Sequence, residues 1–239
     1  MSNIAIIFAG GTGKRMNTRS KPKQFLELHG KPILVYTLEE FNSHPEIDGI
    51  ILVILDSWIS YCKELIDRFR LNKVKAIIAG GESALSSQRK GLLKAAEIFD
   101  ENSIVLIHDG VRPLVDDETI SRNIASVKQH GTAITVTPAI ETVTIKSENG
   151  EIGQIIERSK VELARAPQSF YLRDILEAHR KSEEEHKEFI DSASMMQYYG
   201  HTLYSVEGSP ENIKITTPND FYTFRALVDA RENLQIFGI

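Results

Sequence analysis

The chain has almost no cysteine and no long apolar run. Cys62 is the single cysteine among 239 residues, which excludes an intrachain disulfide and fits a reducing cytoplasm. We expect Cys62 to pack inside the protein from a helix. The first apolar run, residues 4–8, is far shorter than the hydrophobic part of a signal peptide, and no segment approaches the roughly 18 apolar residues of a membrane span. These absences predict a soluble cytoplasmic protein with no membrane partner.

An excess of positive charge is also missing. The 28 lysines and arginines are scattered among 33 acidic residues, for a net charge of −5, whereas nucleic-acid-binding proteins concentrate basic residues on one face. We therefore expect no nucleic-acid partner. With 41% hydrophobic residues, residues 1–239 are long enough for one domain with a sizeable core, and two full domains would be a tight fit.

Short β-branched runs recur along the chain and are typical of buried strands. They occupy residues 4–8, 50–55, 74–79, 104–108 and 133–137. Amphipathic stretches of helical length separate them, for instance the one that contains Leu34, Leu38 and Phe41. This alternation predicts a parallel, helix-flanked α/β sheet. Ligands bind at the carboxyl ends of the strands in such sheets, so a site is expected in the loops that follow them.

Residues 141–165 break this alternation. Apolar and polar residues alternate there around the turn signal Glu148-Asn149-Gly150, which predicts a hairpin arm. An exposed hairpin leaves sheet edges unpaired, and a second subunit is the usual way to cover them. A homodimer is therefore expected. Beyond the arm, the pattern predicts helices at 172–187, 191–199 and 218–233 and a strand at 202–206.

The first strand leads directly into a glycine-rich loop. Residues 9–16 read Ala-Gly-Gly-Thr-Gly-Lys-Arg-Met. Glycines let successive N–H groups approach a polyphosphate, and the charges of Lys14 and Arg15 neutralise it. The spacing fits neither a Walker loop nor the full GxGxxG of dinucleotide folds. We predict a phosphate-binding loop here, and the alternative is a plain tight turn. Lys23 follows Pro22, which stiffens the chain and can hold Lys23 over the same loop; the alternative is a solvated turn.

The loop after the third predicted strand carries further candidate site residues. Gly80-Gly81-Glu82 follows the third predicted strand, where the glycines let backbone groups meet a base edge, and Ser86 and Ser87 open the next helix. We expect Ser86 to cap that helix.

The turn His108-Asp109-Gly110-Val111-Arg112-Pro113 follows the fourth predicted strand. Asp109 can bind Mg²⁺ and Arg112 can bind a phosphate, or the two can form an ordinary ion pair within the turn. His108 is expected only to pack at the strand end. Two more cations lie far down the chain, Arg158 in the arm and Lys214 in the segment 212–216. Taken together, these groups imply a site for a triphosphate and a second anion.

These segments, in their order along the chain, resemble one family. They are Ala9-Gly10-Gly11 with Gly13, Arg15 and Met16, Pro22-Lys23-Gln24, Gly80-Gly81, His108-Asp109 with Arg112-Pro113, Ala166-Pro167-Gln168, and Asn212-Ile213-Lys214-Ile215-Thr216. The set is similar to that of the cytidylyltransferases that include 2-C-methyl-D-erythritol 4-phosphate cytidylyltransferase and ribitol-5-phosphate cytidylyltransferase. The resemblance spans nearly the whole chain. It implies a homodimer with a Rossmann-like α/β core, an arm exchanged between subunits, and Mg·CTP as donor.

The resemblance also implies a role for each matching residue. The residues expected to bind the nucleotide are Ala9, Gly10, Gly11, Gly81, Glu82, Ser87 and Asp109. Arg15 and Lys23 should hold the triphosphate, and Lys23 and Lys214 should lie over the attacked α-phosphate. Asp109 should also bind Mg²⁺ and, with Arg112 and Thr142, face the acceptor, a small polyol phosphate. Arg158 should reach that acceptor from the partner subunit.

Two positions depart from the methylerythritol branch of this family. Ala166 stands where those enzymes often have Thr before Pro-Gln, and Ile190 stands where they often have Thr before Asp. Both changes remove a hydroxyl near the expected acceptor pocket. Val111 also resembles the ribitol-phosphate branch. The sequence therefore favours a ribitol-5-phosphate-like acceptor, with methylerythritol phosphate as the alternative.

Two other functions are weighed against this one. A sugar-1-phosphate uridylyl- or guanylyltransferase shares the glycine-rich opening, but the segments 108–113 and 212–216 argue against it. A non-catalytic nucleotide-binding protein would have no need of the charged residues that are retained together, namely Arg15, Lys23, Asp109, Arg112, Arg158 and Lys214.

Overall fold

A central sheet of seven strands organises the protein. The computed structural model describes residues 1–11 and 21–237, and in it the strand order is β11-β7-β10-β6-β1-β4-β5. All of these strands are parallel except β10, which runs antiparallel to both β6 and β7. The strands are β1 (Asn3–Ala9), β4 (Gly49–Ile54), β5 (Val74–Ala79), β6 (Ile104–Asp109), β7 (Thr132–Pro138), β10 (Glu162–Tyr171) and β11 (Ser205–Glu207).

Helices cover both faces of this sheet. They are α1 (Ile33–Ser43), α2 (Ile59–Arg68), α3 (Ala84–Ile98), α4 (Asp117–His130), α5 (Leu172–Glu184), α6 (Ser192–Tyr198) and α7 (Pro218–Phe237). Side chains alternate across the first strand, so Ala5 and Ile7 pack with α1, α2 and α4, whereas Ile4 and Ile6 pack with α3, α5 and α6. Burial on both faces explains why the strands read as continuous apolar runs.

The arm is a hairpin outside the central sheet. Strands β8 (Val143–Lys146) and β9 (Ile152–Ile156) pair antiparallel with each other. Ile145, Ile152 and Ile155 are between 51% and 69% exposed. A second small hairpin, β2 (Glu27–Leu28) with β3 (Lys31–Pro32), precedes α1. The arm thus presents apolar side chains that nothing in the described protomer covers.

The predicted α/β fold with a mostly parallel, helix-flanked sheet is confirmed. The first five predicted strands are all present, each bound within one residue of the prediction, and the strand predicted at 202–206 is found at Ser205–Glu207. The predicted arm was too long, because β10 begins at Glu162 and pairs with β7 in the central sheet. The antiparallel strand β10 itself was not predicted. No helix in the described ranges is both long and apolar enough to cross a membrane.

Candidate functional site

A cavity of about 380 Å³ opens at the carboxyl ends of β1, β5 and β6. Its wall includes most of the residues that the sequence proposes for the nucleotide, namely Ala9, Gly10, Gly11, Lys23, Gly81, Glu82, Ser87, Asp109 and Lys214. Residues from distant parts of the chain meet here because parallel strands end at the same edge of the sheet. Arg15 lies outside the described residues.

Gln24 contacts the end of β1, where the glycine-rich loop begins. This side chain is 1% exposed, and its Nε2 donates to the carbonyl of Ala9 at 2.7 Å. Pro22 places Lys23 at the start of a 3-10 helix, and the Lys23 ammonium donates to the carbonyl of Ile215 at 2.8 Å. Lys23 therefore reaches the cavity from one side while contacting the segment that carries Lys214.

The opposite wall is formed by Gly81 and the start of α3. The Ser87 hydroxyl accepts a hydrogen bond from the N–H of Gly81 at 3.0 Å and donates to the carbonyl of Ser83 at 2.9 Å. A Cβ at Gly81 would lie 1.8 Å from Oγ of Ser86, so this close approach requires glycine. The expectation that Ser86 caps α3 was wrong. Ser83 is the N-cap, and its hydroxyl accepts from the N–H of Ser86 at 3.1 Å.

Asp109 lies at the centre of the site with a cation on each oxygen. Oδ1 is 2.5 Å from Nζ of Lys214, and Oδ2 accepts from Nε of Arg112 at 2.8 Å. Both Asp109 and Arg112 are 7% exposed. Burial by itself raises the pKa of Asp109, but Lys214 and Arg112 together outweigh it and hold that pKa below its ordinary value. The carboxylate stays ionised and fixes both cations.

The segment 212–216 ties this centre to its surroundings. Arg112 Nη1 donates to the carbonyl of Asn212 at 2.9 Å, and Asn212 Nδ2 donates to the carbonyl of Ala166 at 2.6 Å. The N–H of Ile215 donates to the carbonyl of Val111 at 2.9 Å, and the Ile215 side chain is fully buried. The contacts of Asn212 and Ile215 fix the backbone on both sides of Lys214. A lysine that only pointed to solvent would not need its neighbours held in this way.

A second cavity, of about 190 Å³, adjoins the first. Asp109 and Lys214 line both cavities. The remaining walls of the second include Gln88, Arg112, Ala164, Arg165, Ala166, Gln168, Ile190 and Asp191. The two departures from the methylerythritol pattern, Ala166 and Ile190, thus both line this cavity, and Ile190 is 92% exposed.

A bulge in β10 shapes the second cavity. The register against β7 shifts between Ala164 and Gln168, and a bulge redirects side chains that would otherwise alternate between faces. The Gln168 amide contacts the start of α6. Its Nε2 donates to Asp191 at 2.9 Å, and its Oε1 accepts from the N–H of Ala193 at 2.9 Å. Asp191 is also the N-cap of α6. No local motif marks Gln88, Arg165 or Asp191, so the sequence does not predict them as site residues.

Two predicted acceptor residues are not brought to either cavity within the protomer. Thr142 and Arg158 are exposed in the arm, and Nη1 of Arg158 donates to the carbonyl of Ile140 at 3.2 Å. Neither lines the two cavities described above.

His108 and Cys62, for which the sequence predicts a packing role and no catalytic one, are packed as expected. His108 is fully buried, lies against the ring of Phe41 with centroids 5.0 Å apart, and burial lowers its pKa to about 4. Cys62 is 1% exposed in α2, and burial raises the pKa of its thiol to about 12. Both side chains remain uncharged near neutral pH.

The fold is that of an α/β protein with two adjoining cavities at the carboxyl edge of its sheet. Residues 3–230 match the model of the family IspD, 2-C-methyl-D-erythritol 4-phosphate cytidylyltransferase. The chain belongs to this family of CTP-dependent nucleotidyltransferases.

Similar proteins come from both branches of the family. A ribitol-5-phosphate cytidylyltransferase of Vibrio parahaemolyticus is 52% identical over 99% of this chain and 100% of its own length. A 2-C-methyl-D-erythritol 4-phosphate cytidylyltransferase of Clostridium acetobutylicum is 40% identical over 95% of this chain and 97% of its own. The crystal structure of 4-diphosphocytidyl-2C-methyl-D-erythritol synthase from Anaerococcus prevotii matches with a TM-score of 0.82 at 27% identity, covering 95% of this chain and 96% of that one. The resemblance found in the sequence is confirmed.

Proposed function

We propose that this protein transfers CMP from CTP to ribitol 5-phosphate, forming CDP-ribitol and pyrophosphate. The observation that carries the proposal is the pair of cavities joined through Asp109 and Lys214, one at the glycine-rich loop and one lined by two arginines. The higher identity to a protein named for ribitol 5-phosphate supports this acceptor. The free and buried Cys62 suits a reducing cytoplasm, where we place the reaction.

The first cavity is assigned to CTP. Ala9, Gly10, Gly11 and Gly81 line a space of about 380 Å³, with Glu82 and Ser87 beside them. We assign this space to the pyrimidine ring and its ribose. Arg15 and Lys23 are assigned to the triphosphate, since cations must neutralise its charge. Selectivity for cytosine follows, because hydrogen-bonding groups that read one base edge are left unpaired by another.

The second cavity is assigned to the acceptor. Arg112 faces it from the turn after β6, and Asp109 offers carboxylate oxygens to hydroxyl groups of a polyol. Ala166 and Ile190 contribute no hydroxyl to this wall. Those two side chains therefore cannot form the hydrogen bonds to an acceptor hydroxyl that Thr would supply there.

The chemistry needs no general base. A phosphate monoester is already ionised at neutral pH, so one of its oxygens attacks the α-phosphorus of CTP directly. The bond from that phosphorus to the oxygen bridging to the β-phosphate breaks, and pyrophosphate leaves. Catalysis is then positioning and charge neutralisation. Lys214 lies where the two cavities meet and stabilises the pentavalent centre, while Lys23 takes up charge on the leaving group.

Mg²⁺ fits this site through Asp109. The carboxylate is ionised and each oxygen accepts one donor, which leaves a lone pair on each for a metal. Mg²⁺ is usually held by one or two carboxylates together with substrate phosphates. Bound there with the triphosphate, the ion would neutralise phosphate charge.

A homodimer completes the proposed site. The uncovered isoleucines of β8 and β9 offer an apolar contact surface. Arg158 and Thr142 lie in the same arm and away from the protomer's own cavities. We assign both to the neighbour's acceptor pocket.

A second candidate acceptor is 2-C-methyl-D-erythritol 4-phosphate. The family model and the Clostridium relative carry that name, which keeps it as an alternative. This acceptor would occupy the same second cavity, and its phosphate would attack CTP in the same way. The acceptor alone distinguishes the two proposals.

Pyrophosphate release tests the proposed reaction. Purified protein with Mg²⁺ would be given CTP, UTP, ATP or GTP and each of a panel of polyol phosphates, and the product would be identified by mass spectrometry. We expect CDP-ribitol from CTP and ribitol 5-phosphate. Equal turnover with UTP, or no pyrophosphate with any polyol phosphate, would contradict the proposal.

A further inference from the structure

The second cavity contains more positive charge than its carboxylates balance. Three cationic residues line it, Arg112, Arg165 and Lys214. Arg112 and Lys214 both contact Asp109, as described above. The second carboxylate, Asp191, accepts from neutral groups, the N–H of Ser194 and the amide of Gln168, each at 2.9 Å. Among the described residues, no carboxylate forms a salt bridge with Arg165.

The guanidinium of Arg165 makes a hydrogen bond to Thr137 through Nε, the nitrogen next to its aliphatic chain. Nε donates to Oγ1 of Thr137 at 3.3 Å, and Thr137 is buried in β7. In the described part of the chain this is the hydrogen bond that the Arg165 side chain makes, so the two terminal nitrogens are left for a ligand. Arginine binds phosphate best in this way, through two parallel N–H groups on one edge.

The surroundings of Arg165 favour an incoming anion. Its side chain is partly buried, and burial together with the nearby charge of Arg112 lowers the pKa of its guanidinium. A partly desolvated cation next to a like charge is less stable than one in water. A dianionic phosphate between the two arginines would remove that repulsion and replace the lost hydration.

We propose that Arg165 binds the phosphate group of the acceptor. The assignment rests on the proposed function and gives a role to Arg165, which has none there. Arg165 lines the second cavity and is absent from the described wall of the first, which favours the acceptor over the triphosphate of CTP as its ligand. It directly precedes Ala166, where the methylerythritol pattern often has Thr, and both residues line this cavity.

Kinetics with the acceptor concentration varied tests this role. We would compare the wild type with Arg165→Gln, which removes the charge, and Arg165→Lys, which keeps it. Arg225→Gln on α7, exposed and distant in sequence, is the matched control. The KM for ribitol 5-phosphate should rise about ten- to hundredfold in Arg165→Gln, the range for losing a charged hydrogen bond. The KM for CTP should stay within about twofold, and Arg165→Lys should recover part of the loss.

Several results would overturn the assignment. An acceptor KM in Arg165→Gln within twofold of the wild type would do so, as would an equal rise in the KM for CTP, which indicates a structural role. If the wild type uses 2-C-methyl-D-erythritol 4-phosphate instead, the same comparison with that acceptor decides, because it also carries a phosphate monoester. A wild type that neither turns over nor binds either phosphate, with binding measured by calorimetry, would overturn the proposed function and this assignment with it.

Discussion

Lys214 and Asp109 form an ion pair between the two cavities, with Nζ of Lys214 2.5 Å from Oδ1 of Asp109. The lysine side chain is 41% exposed, whereas that of the aspartate is only 10% exposed. A buried anion therefore holds a partly exposed cation at the boundary where the nucleotide and the acceptor are proposed to meet. A lysine held in place before the substrates arrive loses little conformational freedom when they bind, which is the advantage of a preorganised charge.

Replacing Lys214 should affect the reaction more than nucleotide binding. In Lys214→Ala we expect kcat to fall about a hundredfold, which corresponds to the roughly 3 kcal/mol that one such transition-state contact supplies. The Kd for CTP, measured by calorimetry, should change little. Lys128→Ala, an exposed lysine on α4, is the control. A kcat near that of the wild type, in a folded variant, would exclude Lys214 from the mechanism.

Subunit mixing tests whether Arg158 acts in the neighbouring site. Arg158→Ala and Lys23→Ala homodimers should each be nearly inactive. In a mixed dimer, one site combines an intact Lys23 with an intact Arg158 from the partner. Random exchange makes half the dimers mixed, each with one good site of two, so about a quarter of wild-type activity should return. No recovery, despite exchange confirmed by native mass spectrometry, would place Arg158 in its own subunit's site or in none.

Restoring the missing hydroxyls should change the preferred acceptor. In the double variant Ala166→Thr with Ile190→Thr, kcat/KM for 2-C-methyl-D-erythritol 4-phosphate should rise about tenfold or more. Most of the gain should come from position 166, which is 6% exposed, since a buried hydrogen-bond partner is worth about 1–3 kcal/mol. The matched control places Val at both positions, which keeps the shape of Thr without its hydroxyl. An equal effect of Thr and Val would mean that shape, and not hydrogen bonding, sets the preference.

The stability of the fold should depend on pH through Glu40 on α1. Burial raises its pKa to about 7, against the opposing charge of Arg231. The unfolded chain ionises Glu40 near its ordinary pKa of 4.5, while the folded chain keeps it protonated to about pH 7. This group's stabilising contribution is therefore complete below pH 4.5 and is lost as the pH rises to about 7.

Glu40→Gln should remove this loss. Measured by urea unfolding at pH 8, the variant should be more stable than the wild type by roughly 1–3 kcal/mol, and the difference should shrink at pH 5. Glu64→Gln, exposed on α2, is the control. A Glu40→Gln variant with the same pH dependence of unfolding as the wild type would show that Glu40 does not cause it.

Local sequence was enough to predict that the residues assigned to the nucleotide lie together. Gly10, Gly81 and Asp109 each follow or end a strand with a continuous apolar pattern, so the sheet topology that the pattern predicts brings them to one edge. The arm was visible for the same reason, because its alternating pattern differs from that of buried strands. These features depend on residues near one another in the chain.

The acceptor side depends on contacts that no local pattern encodes. Strand β10 enters the sheet between β6 and β7 in the opposite direction, and its bulge, not its sequence period, directs Arg165 into the cavity. Asn212 shows the same limit, because its amide reaches the carbonyl of Ala166 from the far end of the chain. The role of Lys214 came from the family resemblance, because a single lysine between two isoleucines would otherwise be expected to point to solvent.

The ratio of kcat/KM for ribitol 5-phosphate to that for 2-C-methyl-D-erythritol 4-phosphate tests the central claim most directly. Both acceptors would be assayed with CTP and Mg²⁺ by pyrophosphate release from the same preparation. Since the cavity offers no hydroxyl at Ala166 or Ile190, we predict that ribitol 5-phosphate is preferred by about a hundredfold or more. A preference for 2-C-methyl-D-erythritol 4-phosphate would contradict the proposed acceptor.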